Sequence, residues 1–128
     1  MPYALAMNWQ KAPEFVMQAF DAALPPDPAV QRRKMFGYPA GFVNGNMFAG
    51  VFQDQIVVRL PEVKRAQLQA AGGQPFAPMG RTMREYLSLP PSFHDDRSTL
   101  GRWLTEALLF GLSLPVKEPK PRRAKAKG

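Results

Sequence analysis

Along the chain the spacing of apolar residues switches from helical to strand-like and back again. Phe15, Val16, Ala19, Phe20, Ala23 and Leu24 recur every three or four positions, the period of a helix with one face on a core. Pro13 suits its first turn, and Pro25-Pro26-Asp27-Pro28 ends it, because proline lacks an N–H and drives the residue before it out of the helical region. From Arg32 to Leu60 the pattern turns to β-type. Phe42-Val43 and Met47-Phe48 bracket Asn44-Gly45, the dipeptide that best accepts the positive φ angles of a type I′ turn. The spacing predicts strands over Arg32–Phe36, Ala40–Val43, Asn46–Phe52 and Ile56–Leu60, with Gly37-Tyr38-Pro39 as a break and Gln53-Asp54-Gln55 as a tight turn. Three consecutive charges make the first strand a short or edge-lying one.

After Leu60 the period returns to 3.6. Pro61 to Ala71 reads as a short helix stopped by Gly72-Gly73 in a left-handed end. Gly72 to Arg81 reads as a loop with Phe76 and Met79 as anchors, and Thr82 to Leu89 as a fifth strand. Beyond Pro90-Pro91, one of Asp95, Asp96 and Ser98 is expected to cap a last helix. Its stripe is Leu100, Trp103, Leu104, Ala107, Leu108, Gly111 and Leu112, and Pro115 closes it. Sequential strands joined by short turns form antiparallel meanders. The expected fold is therefore α+β: a single antiparallel sheet of about five strands with an N-terminal helix, a short internal helix and a C-terminal helix. Residues 1–115 form one domain, and 116–128 form a disordered basic tail with nothing to bury.

Composition removes several chemistries. The 128 residues include no Cys, which rules out a disulfide framework, a thiolate metal site and a Cys nucleophile. His94, the single histidine, builds no metal cluster alone, and no cofactor site is expected. The first residues lack a basic n-region, and no segment approaches the ~20 apolar residues of a membrane span. A cytoplasmic protein without membrane contact is expected. The net charge of +7 is unevenly spread, since Lys117 to Gly128 holds six basic residues against Glu118.

Five strings in this order are familiar: Arg33-Lys34-Met35-Phe36-Gly37, Gly45-Asn46-Met47-Phe48-Ala49, Ala70-Ala71-Gly72-Gly73-Gln74-Pro75-Phe76, Tyr86-Leu87-Ser88-Leu89-Pro90 and Leu100-Gly101-Arg102-Trp103. Together they resemble the N-terminal domain of the TfoX/Sxy family, over about Phe15 to Leu112. The resemblance implies an α+β domain with an antiparallel sheet of about five strands. It also implies a link to regulators of natural competence, which are thought to work beside a cyclic-AMP receptor protein on DNA. Those regulators continue into a second, helical domain, whereas here a basic tail follows. The family often has a second glycine after Met-Phe-Gly, and this chain has Tyr38-Pro39 instead.

Candidate chemistry is sparse. His94, beside Asp95 and Asp96, could act as base or ligand, but a polar loop at a helix start explains it better. Gly37, Gly41, Gly45 and Gly50 lack the context of a phosphate loop and read as turn and bulge positions. Arg32, Arg33 and Lys34 form a basic cluster that either touches phosphates or guards an edge strand against sheet-to-sheet pairing. Lys117, Lys120, Arg122, Arg123, Lys125 and Lys127 either bind nucleic acid without sequence selectivity or keep the chain soluble. Phe15, Phe20, Phe48, Trp103 and Phe110 read as core, while Tyr3 and Trp9 fall outside the predicted elements. The reading that follows is a non-enzymatic regulatory or interaction module, DNA-associated through its basic tail, with its protein partner unidentified. The alternative is a homodimeric interaction domain with no nucleic-acid role.

Overall fold

The computed structural model describes residues 11–117, so Tyr3, Trp9 and the predicted tail beyond Lys117 lie outside the described residues. Helix α1 spans Glu14–Ala23. Four strands follow: β1 (Gln31–Met35), β2 (Tyr38–Val43), β3 (Asn46–Phe52) and β4 (Gln55–Arg59). Then come α2 (Glu62–Ala70), β5 (Gln74–Pro75), β6 (Tyr86–Ser88) and α3 (Arg97–Ser113). All the strand pairs are antiparallel, in the order β1-β2-β3-β4-β6-β5. The α+β expectation holds, with six strands instead of about five. The additional one, β5, lies inside the stretch expected to be a loop, and β6 is shorter than Thr82–Leu89.

Register assigns the two faces of the sheet, because directly paired residues point the same way. Ala49 pairs with Val58, Val51 with Ile56, and Val58 with Leu87, and all five belong to the core under the helices. Helix α3 crosses β3, β4 and β2 on this side, with α1 beside it. Helix α2 flanks α3 through Lys64 and Glu106, whose charged atoms are 3.6 Å apart.

A β-bulge sets where α3 rests. Gly41 pairs with Ala49 and Phe42 with Met47, so Phe48 has no partner across the strand. An extra residue of this kind turns two consecutive side chains to one face. Phe48 and Ala49 are accordingly both buried in the core. Gly111 of α3 then comes so close that a Cβ there would lie 2.7 Å from Val43 Cγ1 and 3.3 Å from Phe48 Cβ.

The local signals behave as their chemistry requires. Asn44 and Gly45 have φ of 51° and 80°. Asp96 caps α3, accepting from the Thr99 amide at 3.2 Å and the Thr99 hydroxyl at 2.8 Å, and these bonds hold its carboxyl below the usual range. Helix α2 ends with Gly72 at φ 111° and a Gly73 amide donating to Leu68 O at 2.8 Å, the 6→1 bond of a Schellman end.

Three expectations are corrected. The first turn is Phe36-Gly37, with φ of 57° and 82°, and Tyr38-Pro39 begins β2, with Pro39 opposite Lys34. Proline fits there because the β2–β3 ladder ends at Ala40↔Gly50, one residue short of it. Phe15 is 60% and Leu112 40% exposed, so the helix stripes are narrower than their apolar residues suggest. Phe110 is only half-buried. Phe20, Phe48 and Trp103 are core residues, and Phe76 is buried, as anticipated. The side chain of Met79 lies outside the described set.

Because overpacking a close helix–sheet contact costs about 1–3 kcal/mol, Gly111→Val is expected to lower the urea midpoint. Val43→Ala in the same chain should recover part of that loss. A double-mutant cycle on Gly111 and Val43 checks it, and strict additivity would contradict the contact.

Candidate interaction surface

The sheet face opposite the helices carries no α-helix among the described residues. From the register it presents Arg33 and Met35 of β1, Tyr38, Ala40 and Phe42 of β2, and Met47, Gly50 and Phe52 of β3, followed by Val57, Arg59 and Tyr86. Aromatic rings converge on Phe52. Its centroid is 6.1 Å from Phe36, 5.5 Å from Tyr38 and 5.4 Å from Phe76, all near edge-to-face, the arrangement that ring quadrupoles favour. Ala40 and Gly50, paired with each other, keep the floor low. The loop leading to β6 folds over part of this face, Met83 N donating to Phe76 O at 2.8 Å. What remains is an apolar cleft of about 70 Å³, with Met35, Phe36, Met47 and Met83 around it.

Phe36 stands out here. It is 48% exposed and adopts φ 57°, a left-handed conformation that is an outlier for a bulky side chain and costs of order 1–3 kcal/mol.

Arg32, Arg33 and Lys34 lie together on β1, exposed. Arg32 and Lys34 take the helix side, where Arg32 pairs with Asp21 of α1. Arg33 takes the other side, its guanidinium 5.0 Å from the Phe42 ring centroid. Among the described residues Arg33 and Lys34 have no carboxylate partner.

Of the predicted tail cations, Lys120, Arg122, Arg123, Lys125 and Lys127 lie outside the described residues. Lys117 is described, and it is tethered. Its amide donates to Asn44 O at 2.8 Å, and Asn46 Nδ2 donates to Pro115 O at 3.1 Å. Gly45 makes room for this strap, since a Cβ there would fall 2.2 Å from Lys117 O. Lys117 is thus held at the β2–β3 turn, and the β1 cluster sits on the outer strand.

A further basic feature was not foreseen from the sequence. Arg59, Arg65, Arg84, Glu85, Tyr86 and Met83 line an open groove of about 510 Å³. Arg59 binds Glu85 at 2.7 Å and lies 5.7 and 5.9 Å from the Tyr86 and Phe110 ring centroids. Tyr86 donates its hydroxyl to Met47 O at 2.7 Å, and burial pushes its phenol up, with Arg59 opposing. Arg84 and Tyr86 alternate visibly, but the pairing that brings Arg59 to Tyr86 spans the α2 segment and leaves no local trace.

His94 departs from its expectation as a polar loop residue. It lies buried in the 3-10 turn Pro91–Asp95, 6.5 Å from the Phe15 ring, and its Nε2 has no hydrogen-bond partner among the described residues. Among the described residues no group of three or more acidic, His or Cys side chains could hold a metal ion. No helix among them is long and apolar enough to cross a membrane.

The sequence model of the TfoX N-terminal domain matches residues 22–110. The chain belongs to the TfoX N-terminal domain family. No curated protein matches it. In this TfoX N-terminal domain the matched span takes in the whole sheet and most of α3, so the helix-free face, the β1 edge and the arginine groove all lie within the family's own fold.

Desolvation lowers the His94 pKa below its ordinary value, against the opposing pull of Asp54 and Asp95. The unfolded chain therefore takes up a proton near the ordinary value, while the folded chain resists it. Stability is full above about pH 6.5 and falls as the pH drops below it. Urea midpoints between pH 7.5 and 5 should decline more steeply for the wild type than for His94→Gln, and parallel curves would refute this.

Proposed function

We propose that this chain is a non-enzymatic regulatory module of the TfoX N-terminal type, acting in the cytoplasm. It meets a protein partner on the helix-free sheet face and associates with DNA through its basic tail. The observation that supports the protein contact is Phe36. A type I′ turn is easiest to form with Asn at this position and Gly after it. This chain instead holds a half-exposed phenylalanine at positive φ, beside methionines that adapt readily to a partner's shape. Strain of this kind at a surface turn is accounted for by what the ring contacts.

The DNA part rests on charge. Lys117 to Gly128 holds six basic residues against one acidic residue, and a polycationic segment binds DNA by releasing counterions.

Phe36→Asn separates function from stability. Relief of backbone strain offsets the lost ring contact, so stability should stay within about 1 kcal/mol of wild type. Retention of nuclease-treated host proteins on the immobilised chain should fall. Unchanged retention would remove the protein-contact reading. For DNA, binding should weaken steeply with salt in the full chain and be lost in a chain ending at Pro115. Equal, negligible binding by both removes the tail's role, and a salt-resistant dimer indifferent to DNA would favour a homodimeric domain.

A further inference from the structure

An open sheet has two edges, and those of this sheet differ in kind. At one end is β5, two residues long and finishing in Pro75, which has no N–H to offer another strand. At the other is β1, five residues long. The two-residue turn Phe36-Gly37 makes Met35↔Tyr38 a hydrogen-bonded pair, and such pairs alternate along an antiparallel ladder. Arg33 and Gln31 therefore also bond to β2. The N–H and C=O groups of Arg32 and Lys34 point outward, and among the described residues nothing bonds to them. This is a row of donors and acceptors at the spacing of a strand.

Charge decides what can dock there. A second copy of β1 laid antiparallel and centred on Arg33 would put Arg33 opposite Arg33 and Arg32 opposite Lys34, and like charges directly opposed are destabilising. Acidic side chains in those positions gain the same energy instead. Arg33 is held over the Phe42 ring, so its guanidinium is already fixed on the helix-free face, and Lys34 stands free of any described carboxylate. Of the three, Arg32 alone has an acidic partner among the described residues, Asp21.

We infer that the β1 edge takes an acidic extended segment of a partner protein as a seventh strand, the outward backbone groups of Arg32 and Lys34 supplying the ladder and Arg33 and Lys34 selecting the charge. This rests on reading the chain as a protein-interaction module and specifies the partner's chemistry and mode of binding. Main-chain bonds supply affinity in such strand addition, and alternate side chains supply selectivity.

The test uses the full chain and a fluorescent seven-residue Glu/Val peptide, Val-Val-Glu-Glu-Glu-Val-Val, capped at both ends, whose consecutive acids reach Arg33 on one face and Lys34 on the other. At saturation, hydrogen exchange followed by NMR should slow by about tenfold or more at the Arg32 and Lys34 amides, while those of Gln31 and Arg33, already in the ladder, change little. Lys34→Pro removes one outward N–H without touching the β2 ladder, and Lys34→Gln removes the same charge but keeps the donor. Binding should fall about tenfold more for the proline variant than for the glutamine one. A Lys/Val peptide should not bind. Failure of the Glu/Val peptide to bind overturns the inference, as does binding without protection of the two amides, equal loss in both variants, or equal binding of the Lys/Val peptide. Any of these results leaves the Phe36→Asn outcome to stand by itself, so the edge and the broader interaction reading fail separately.

Discussion

The close contact of α3 with the bulge in β3 governs the rest of the molecule. By spending one unpaired residue, β3 turns both Phe48 and Ala49 toward the helices. Gly111 lets the helix backbone settle directly onto Val43 and Phe48 with no side chain between. Interiors pack at the density of organic crystals, so a helix seated this low fixes its own azimuth and its C-terminal direction. Its exit then leads to the β2–β3 turn, where Pro115 and Lys117 are bonded to Asn46 and Asn44. Gly45 serves both ends of this arrangement, forming the hairpin at positive φ and leaving space for the returning chain.

The same bulge shapes the opposite face. With Phe48 turned inward, the helix-free side is left with Met47, then Gly50 facing Ala40, and this low floor lets four aromatic rings and the methionines gather around a small cleft. One irregularity thus deepens the core on one side and makes a shallow apolar receptor on the other. The arginine groove lies at the sheet end where the chain returns from α3, linked to it through the Tyr86–Met47 bond.

What could be read from the residues was local. The Asn44-Gly45 hairpin, the bounds of β3 and the glycine end of α2 follow from neighbours in sequence, and all are present; a cap for α3 was legible among Asp95, Asp96 and Ser98, and the structure assigns it to Asp96. Phe36-Gly37 was unreadable as a turn because phenylalanine gives no sign of accepting positive φ. Tyr38-Pro39 looked like a break because nothing local says that the ladder on that side has already stopped. Pairings over long separations, such as Pro75 with Leu87 or Arg59 with Tyr86, carry no periodic signature, so β5 and the groove were missed. His94 was misplaced for a related reason, its burial being decided by α1 and the 3-10 turn meeting in space. The basic cluster on β1 read as a short or edge-lying strand, and only the strand order and register show that it is an edge and which of its backbone groups point outward.

The two sheet edges are closed by different kinds of lock. Pro75 blocks its edge covalently, and no change of medium can alter that. Against a second copy of this chain the β1 edge is guarded by electrostatic repulsion, whose range shrinks from about 10 Å at 0.1 M salt to about 3 Å at 1 M. Ionic strength therefore acts as a key to one side of the sheet and not to the other, and the molecule's tendency to join strands with its surroundings is directional, set by solvent at a single edge.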